Sequence, residues 1–362
     1  MDTISFREFM ADLTLKNQAG DFPSNGQFEL TPLCNLDCKM CYVHLQDASV
    51  KNRMLDGDQW IEIMDGAIRR GMMTALLTGG EAMTHPDFKK IYLYLVNHGV
   101  IVRLKTNGIL LNKENIDFLV KYPPQIVDVS LYGCNSESYL SVTGRDAFET
   151  VRNNIRAAIE AGLCVRIMVT PSSYMKPWTD EIIRLAGSFN AADVKVNSLL
   201  VDSREGTDRS KDDYNLSAED SIDAIAIGRE VITPKSLPKE EEERIYGSIE
   251  KRPDVSDKGL YCNGGKTGFA VSWDGTMEPC LNFPPEVISA YPLSDGFDAA
   301  WKTVNEGVHS FAVPQKCHSC PINTKCHYCP VQHGRHSIEN RCDVSVCDFW
   351  QKYYSNEKST LK

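Results

Sequence analysis

No stretch of the chain reaches 18 uninterrupted apolar residues, so the sequence offers no helix fit to cross a bilayer. The opening segment, MDTISFREFMADLTLKNQAG, mixes charges and has no basic run followed by an apolar one. It does not read as a secretion signal. Basic charge is in deficit, with 39 Lys and Arg against 49 Asp and Glu and a net charge of −10. That disfavours a general affinity for nucleic-acid phosphate, while leaving room for a local basic groove. No solenoid-type repeat and no low-complexity tract is present. A cytoplasmic protein with neither a membrane nor a nucleic-acid partner is expected. Cysteine, by contrast, is plentiful, at 13 residues. Without export these thiols stay reduced, so disulfides do not account for them and metal binding is the leading reason.

A chain of 362 residues suggests two domains, or one large α/β domain with an appendage. Short β-rich runs fall at 27–33, 73–78, 100–106, 126–131, 164–170 and 193–200. Helical patterns lie between them, as in DGDQWIEIMDGAIRRG (56–71) and FETVRNNIRAAIEAG (148–162). The second carries Val151, Ile155, Ala158 and Ile159 at helical spacing, with Gly162 as its stop. Repeated strand-then-helix units mean a parallel sheet, wound or closed into an open barrel, with ligand chemistry at the C-terminal strand ends. A helix is also expected over 217–232, followed by the charge-dense PKEEEERIYGSIEKRPDVSDK, which reads as a solvated linker. Cysteines then return in a turn-rich segment that ligands, more than a large apolar core, are expected to hold together. Within it, Asp274-Gly275 between apolar runs predicts a hairpin.

Directly after the first strand, CNLDCKMCY spaces Cys34, Cys38 and Cys41 so that three thiolates on one loop can converge on a soft metal centre. Zinc would require a fourth ligand, for which His44 is near enough. A [4Fe–4S] cluster held by three thiolates would instead keep one iron open for chemistry. The next strand ends in Gly79-Gly80-Glu81, where glycines let backbone approach a small ligand. The third ends in KTNG, with Thr106 and Asn107, and the fourth in SLYG, with Ser130. Cys134 follows closely as a candidate active-site thiol, and Cys164 reads as a small core residue inside a strand.

Taken in order, Cys34-x3-Cys38-x2-Cys41-Tyr42 and Gly79-Gly80-Glu81 resemble the radical S-adenosylmethionine (SAM) superfamily, over roughly residues 25–205. The resemblance implies an α/β fold, a partial (β/α)6 TIM-like barrel whose three thiolates hold a [4Fe–4S] cluster. SAM would chelate the free iron and be cleaved to a 5′-deoxyadenosyl radical that abstracts hydrogen from substrate. It also implies that Tyr42, Gly79, Gly80, Glu81, Thr106, Asn107 and Ser130 bind the cofactor, and that a donor such as flavodoxin or ferredoxin supplies the electron. Ala82 departs from the proline often found after the glutamate.

Beyond the barrel the pattern C-x12-G-x4-C (Cys262 to Cys280) precedes Cys317-x2-Cys320-x5-Cys326-x2-Cys329, then Cys342 and Cys347. A zinc ribbon is the generic alternative. Behind a radical SAM core the set resembles the SPASM extension, which implies two auxiliary [4Fe–4S] clusters and three clusters in all. By position, Cys262, Cys280 and Cys329 would serve the first, and Cys317, Cys320, Cys326 and Cys347 the second. The stretch after Cys262 lacks the further thiol of fully ligated relatives, so the first auxiliary cluster either has an open iron or recruits Cys342. The expected organisation is an N-terminal helical segment (1–24), the barrel (25–205), linker helices (206–258), the SPASM extension (259–350) and a tail (351–362).

The resemblance implies hydrogen abstraction from a peptide or protein side chain, giving a thioether or carbon–carbon crosslink, or an oxidation. Some 25 residues before the first strand are too few for a winged-helix peptide-recognition domain. The alternatives are a dehydrogenase or epimerase on a sugar or aminoglycoside, and a sulfatase-maturase-like enzyme. Leu281 stands where the latter typically has an aspartate.

Overall fold

The computed structural model describes residues 22–43, 48–197, 200–201, 214–231, 262–311, 317, 320, 322, 329, 331 and 344–355. Six strands run in chain order with helices between them: β1 (Asn25–Glu29), β2 (Thr74–Thr78), β3 (Ile101–Thr106), β4 (Ile126–Ser130), β5 (Val165–Val169) and β6 (Asp193–Val196). The helices that follow them are α1 (Gly57–Arg69), α2 (Phe88–Asn97), α3 (Lys113–Lys121), α4 (Ser136–Thr143), α5 (Phe148–Glu160), α6 (Thr179–Ser188) and α7 (Ala218–Val231). Neighbouring strands of this set all pair in parallel, as the strand–helix alternation requires. The fold is the expected α/β partial barrel.

Local chemistry explains the element boundaries. Asp56 caps α1 through a reciprocal capping box with Gln59, which satisfies N–H groups that a helix start leaves unpaired. Gly162 takes φ +88 just past α5, a left-handed stop open to glycine without strain. The first strand ends earlier than its apolar run. It pairs only to Glu29, with Leu30 N–H donating to the Thr78 carbonyl. Pro32 has no N–H to continue a ladder. The Thr31 and Leu33 carbonyls instead accept from Gly80 (2.7 Å) and Glu81 (2.9 Å). What reads as the last turn of a strand is a clasp between two strand ends.

The C-terminal part departs further from expectation. β7 (Gly268–Val271) adds to the sheet in parallel with β1, and β8 (Met277–Glu278) pairs antiparallel to β7. The order is β6-β5-β4-β3-β2-β1-β7-β8. The turn between the last two is the expected hairpin, with Gly275 at φ +90 and Thr276 N–H on the Asp274 carboxylate at 3.1 Å. Over 262–311, however, an apolar core does the holding. Phe269, Val271, Met277 and Phe283 are buried together with Ala300, Trp301, Val304 and Val308 of α8 (Phe297–Ser310). Phe269 meets Phe28 of β1 edge-on at 5.8 Å, so this core continues the barrel's own. At Gly66 a Cβ would lie 2.6 Å from Phe297, so only glycine lets α8 pack on α1. A last helix, α9 (Val344–Ser355), carries Cys347 and reaches α7 through Lys352–Glu219 at 2.8 Å.

Alternation along β1–β6 separates two faces. Phe28, Ala75, Leu77, Val102, Leu104, Val127, Val129, Val165 and Ile167 are buried. The other face, from Asn25 and Gln27 across to Asp193 and Lys195, is polar and partly open. An open barrel leaves its inner face accessible, so the strands are not apolar on both sides as in a closed parallel core.

Candidate active site

The cysteine loop is built at the C-terminal end of β1, where three other strand ends reach it. Asp37 N–H donates to the Thr143 carbonyl (2.9 Å) and Lys39 N–H to Val142 (3.0 Å), which pins the loop to the end of α4. Cys41 N–H closes a turn on the Cys38 carbonyl at 3.0 Å. Cys34, Cys38 and Cys41 are brought close enough to interact electrostatically. Burial, then the neighbouring Cys41 and Glu81, pushes the Cys34 thiol up to about 11, against the Leu36 N–H and Asn107 that pull it down. Cys38 is pushed well above its ordinary value, again by burial first and then by its two fellow thiols. Cys34 and Cys38 are therefore protonated at neutral pH in the metal-free chain, and a metal centre entering here must displace their protons.

Gly79 and Gly80 are demanded first by the protein's own backbone. A Cβ on Gly79 would stand 2.5 Å from the Thr31 carbonyl oxygen, and one on Gly80 2.5 Å from Leu33 O and 2.6 Å from Pro32 O. The ligand approach read from the sequence is thus joined by a closer cause. Glu81 is buried, and its carboxylate accepts from Thr106 Oγ1 (2.9 and 3.0 Å), Asn107 N–H (2.8 Å) and Met83 N–H (3.3 Å). It is the tie between the ends of β2 and β3. Burial raises its pKa from 4.5 to about 7, against the pull of those three donors.

Asn107 extends the tie to the cysteine loop, with Nδ2 2.6 Å from Asn35 Oδ1 and 3.5 Å from Cys34 Sγ. From β4, Ser130 hydrogen-bonds the Tyr132 phenol, and Tyr132 hydrogen-bonds Cys38. Tyr139 of α4 is fully buried beside Cys38, Cys34 and Glu81, and its hydroxyl has no hydrogen-bond partner among the described residues. Tyr42 follows the third thiol as a half-buried side chain. Cys134 sits half-buried at the start of α4, its thiol donating to Glu181 Oε2 of α6 at 3.3 Å, and burial raises its pKa. Cys164 lies just before β5 and is exposed, not the core residue its neighbours suggested.

The chemistry fits an iron–sulfur cluster. Three thiols of one loop, an amide reaching one sulfur, a phenol on another and a second buried phenol with an unused hydroxyl form a sulfur-rich, donor-rich site. A single ion needs its ligand atoms within about 2.0–2.3 Å of one point. Among the described residues no three His, Cys, Asp or Glu side chains form such a group. His44, the zinc alternative, lies outside the described residues.

The model of the radical SAM superfamily matches residues 28–186, the span that carries every strand end just described. The chain carries a radical SAM domain. Similar curated proteins include the antilisterial bacteriocin subtilosin biosynthesis protein AlbA of Bacillus subtilis, 25% identical over 78% of this chain and 60% of that protein. A probable GTP 3′,8-cyclase of Aeropyrum pernix is 33% identical over 38% of this chain and 40% of that protein. The chain therefore spans less than two thirds of the length of both. A probable GTP 3′,8-cyclase of Archaeoglobus fulgidus is 28% identical over 74% of this chain and 88% of that protein.

Among solved structures, Streptococcus suis SuiB bound to S-adenosylmethionine matches with TM-score 0.64 and 16% identity, over 93% of this chain and 84% of that one. Native anSMEcpe with bound AdoMet matches with TM-score 0.67 and 16% identity, over 91% and 96%. At that identity they speak for the fold alone.

Outside the radical SAM domain, Cys280 is half-buried, and its thiol is pushed up to about 12 by desolvation first and then by Cys329, with Cys262 also contributing. Cys280 thus lies within electrostatic reach of both other cysteines expected in its set, although Cys329 lies 49 residues beyond it. Cys317 and Cys320 face each other electrostatically. Cys347 is on α9, while Cys326 and Cys342 lie outside the described residues, as do most of the expected N-terminal segment and linker. Sequence reading missed Tyr132 and Tyr139. The first stands inside the SLYG motif and was available to find; the second reaches the thiols only through the packing of α4.

Proposed function

We propose that the chain is a radical SAM enzyme that removes a hydrogen atom from a peptide or protein side chain, leading to a thioether or carbon–carbon crosslink or to an oxidation. The observation that carries it is the meeting of the Cys34, Cys38 and Cys41 thiols with the ends of β2, β3 and β4 through Glu81, Asn107 and Tyr132. When bound, a [4Fe–4S] cluster and SAM together supply the hydrogen-abstracting radical. Cys34, Cys38 and Cys41 would hold the cluster, and the backbone around Gly79 and Gly80, with Thr106, Asn107 and Ser130, would hold SAM. Glu81 acts by fixing the distance between two of the strand ends, and its carboxylate is spent on that task. Asn107 and Tyr132 place hydrogen-bond donors on ligand sulfurs, which favours their thiolate form and tunes the cluster potential.

The second cysteine constellation supports a SPASM-type extension with two auxiliary clusters, one on Cys262, Cys280 and Cys329 and one on Cys317, Cys320, Cys326 and Cys347, with Cys342 available to the first. The likeness to AlbA, named for bacteriocin biosynthesis, favours a peptide substrate. The GTP 3′,8-cyclase relatives favour a second reading, a small phosphorylated substrate. A reductant such as flavodoxin or ferredoxin would supply the electron.

Anaerobic reconstitution with iron, sulfide, SAM and dithionite tests the reading through release of 5′-deoxyadenosine. The Cys34, Cys38 and Cys41 triple alanine variant should lose that release and retain iron at the C-terminal region. Iron falling to zero in this variant would contradict the auxiliary clusters, and wild type that never cleaves SAM would sink the enzyme.

A further inference from the structure

The inner face of the sheet has an electrical polarity that the overall charge of −10 conceals. Register places Lys105 opposite Asp128, Asp128 opposite Arg166, and Arg166 opposite Asp193. One step nearer the C-terminal edge, Ser130 stands opposite Met168 and Met168 opposite Lys195. Arg103 lies on the same face of β3, two residues before Lys105. Asp128, with its side chain 2% exposed, is saturated: Oδ1 accepts from Arg166 Nε at 2.7 Å and Oδ2 from Arg103 Nη2 at 3.3 Å. Asp193 reaches Arg166 only at 4.0 Å. Lys105 and Lys195 are left without an ion pair or hydrogen bond among the described residues, and both are exposed. Neighbouring atoms partly desolvate Lys105 and lower its ammonium pKa, and Arg103, Lys195 and Arg166 lower it further against the opposing pull of Asp128. Like charges gathered on one face of the sheet, with their one buried counter-charge already used, await an anion from outside.

The position matters as much as the sign. Lys105 is two residues before Asn107, whose amide reaches Cys34, and Asp128 is two residues before Ser130, which is linked through Tyr132 to Cys38. At a rise of about 3.3 Å per residue, the basic group lies roughly 7 Å down the barrel from the cysteine edge. Across β1, β7 and β8 the same face carries Glu29 and Glu278, so the inner face is basic on one half and acidic on the other.

The geometry points to an anion subsite on the β3–β6 half of the inner face, where Lys105 and Lys195, steadied by the Arg103–Asp128–Arg166 cluster, grip an oxyanion of the substrate. The group is a carboxylate of an acidic peptide segment or a phosphate of a small molecule. Gripping it there would hold the neighbouring atoms of the substrate beneath the cysteine edge. This rests on the reading that the reacting centre lies at the C-terminal strand ends.

The test uses the full chain, reconstituted and saturated with SAM, titrated calorimetrically with tripolyphosphate and separately with penta-glutamate. At least one of the two should bind. The Lys105→Gln/Lys195→Gln variant should bind it at least ~10-fold more weakly, as expected for loss of charge-assisted contacts to an oxyanion. Lys113→Gln, on the outer α3, should match wild type. Tripolyphosphate alone binding would identify a phosphate source, and penta-glutamate alone a carboxylate. In wild type, mass-spectrometric lysine acetylation should show Lys105 and Lys195 protected by the bound anion and Lys113 unprotected, a readout independent of how the variant folds. Neither anion binding, equal affinity in wild type and double variant, or unprotected Lys105 and Lys195 would overturn the proposal. Release of 5′-deoxyadenosine from wild type without either anion is measured alongside. Its absence would strike the enzyme reading, whereas absent anion binding with SAM cleavage intact would strike the subsite alone.

Discussion

Glu81→Gln should remove a pH dependence of stability that Glu81 imposes on the metal-free chain. The carboxyl is buried with a folded pKa of about 7 against an ordinary value of 4.5. Because the folded pKa lies above the unfolded one, the folded chain holds a proton between these values that the unfolded chain has released. The stabilising contribution is therefore complete below the ordinary pKa and falls as pH rises through the folded one. Two to three pKa units at about 1.4 kcal/mol each amount to roughly 3 kcal/mol between pH 5 and pH 8. The nearby thiols do not contribute, since Cys34 at about 11 and Cys38 above its ordinary value keep their protons across this range. Glutamine mimics the protonated acid and cannot titrate. Its amide nitrogen faces a backbone donor, Asn107 N–H or Met83 N–H, so at pH 5 the variant should trail wild type by about 1–2 kcal/mol. By pH 8 that deficit should close or reverse. Anaerobic chemical denaturation, followed by tryptophan fluorescence at several pH values, measures both curves. Parallel curves would refute the argument, because they would mean that Glu81 titrates alike in the folded and unfolded chains.

Gly80→Ala should cost more than about 2 kcal/mol and lower iron incorporation, since its Cβ would strike two backbone carbonyl oxygens that cannot yield without opening the clasp. Thermal unfolding and iron assay check it, and wild-type values for both would refute it. Tyr139→Phe should leave the metal-free chain as stable as wild type or slightly more so, because the hydroxyl removed is buried without a partner. In the reconstituted protein the same change should make the cluster potential more negative by removing a donor near the sulfurs, and an unchanged potential would place the hydroxyl elsewhere. Asp128→Asn should destabilise by about 2–4 kcal/mol, because Arg103 and Arg166 lose a shared, desolvated counter-charge; a loss below 0.5 kcal/mol, on the order of a surface change, would refute it.

Local pattern carried much of this protein. Strand–helix alternation announces a parallel sheet because a parallel crossover needs a helix-length connection, and the cysteine spacing right after the first strand announces a soft metal site at the sheet's C-terminal edge. Gly162 and Asp274-Gly275 mark their turns through backbone freedom that no neighbour can alter. Even α8, overlooked in reading the cysteine-rich segment, had its apolar stripe of Phe297, Ala300, Trp301, Val304 and Val308 in plain view.

Other features exist only once the chain has closed. β7 joins β1 across more than 200 residues, and its four-residue run has no periodicity that could name a partner. Gly79 and Gly80 declare a need for close approach, but that Thr31 and Leu33 are what approach them is settled by the meeting of two strand ends. Glu81 looks like a ligand residue in sequence, and burial among three donors makes it a brace. Lys105, Asp128, Arg166 and Lys195 are unremarkable charges along the chain, and parallel register gathers them on one face. Spacing determines which groups can meet locally, while strand register and burial, acting between residues far apart, decide which groups do meet and what that costs.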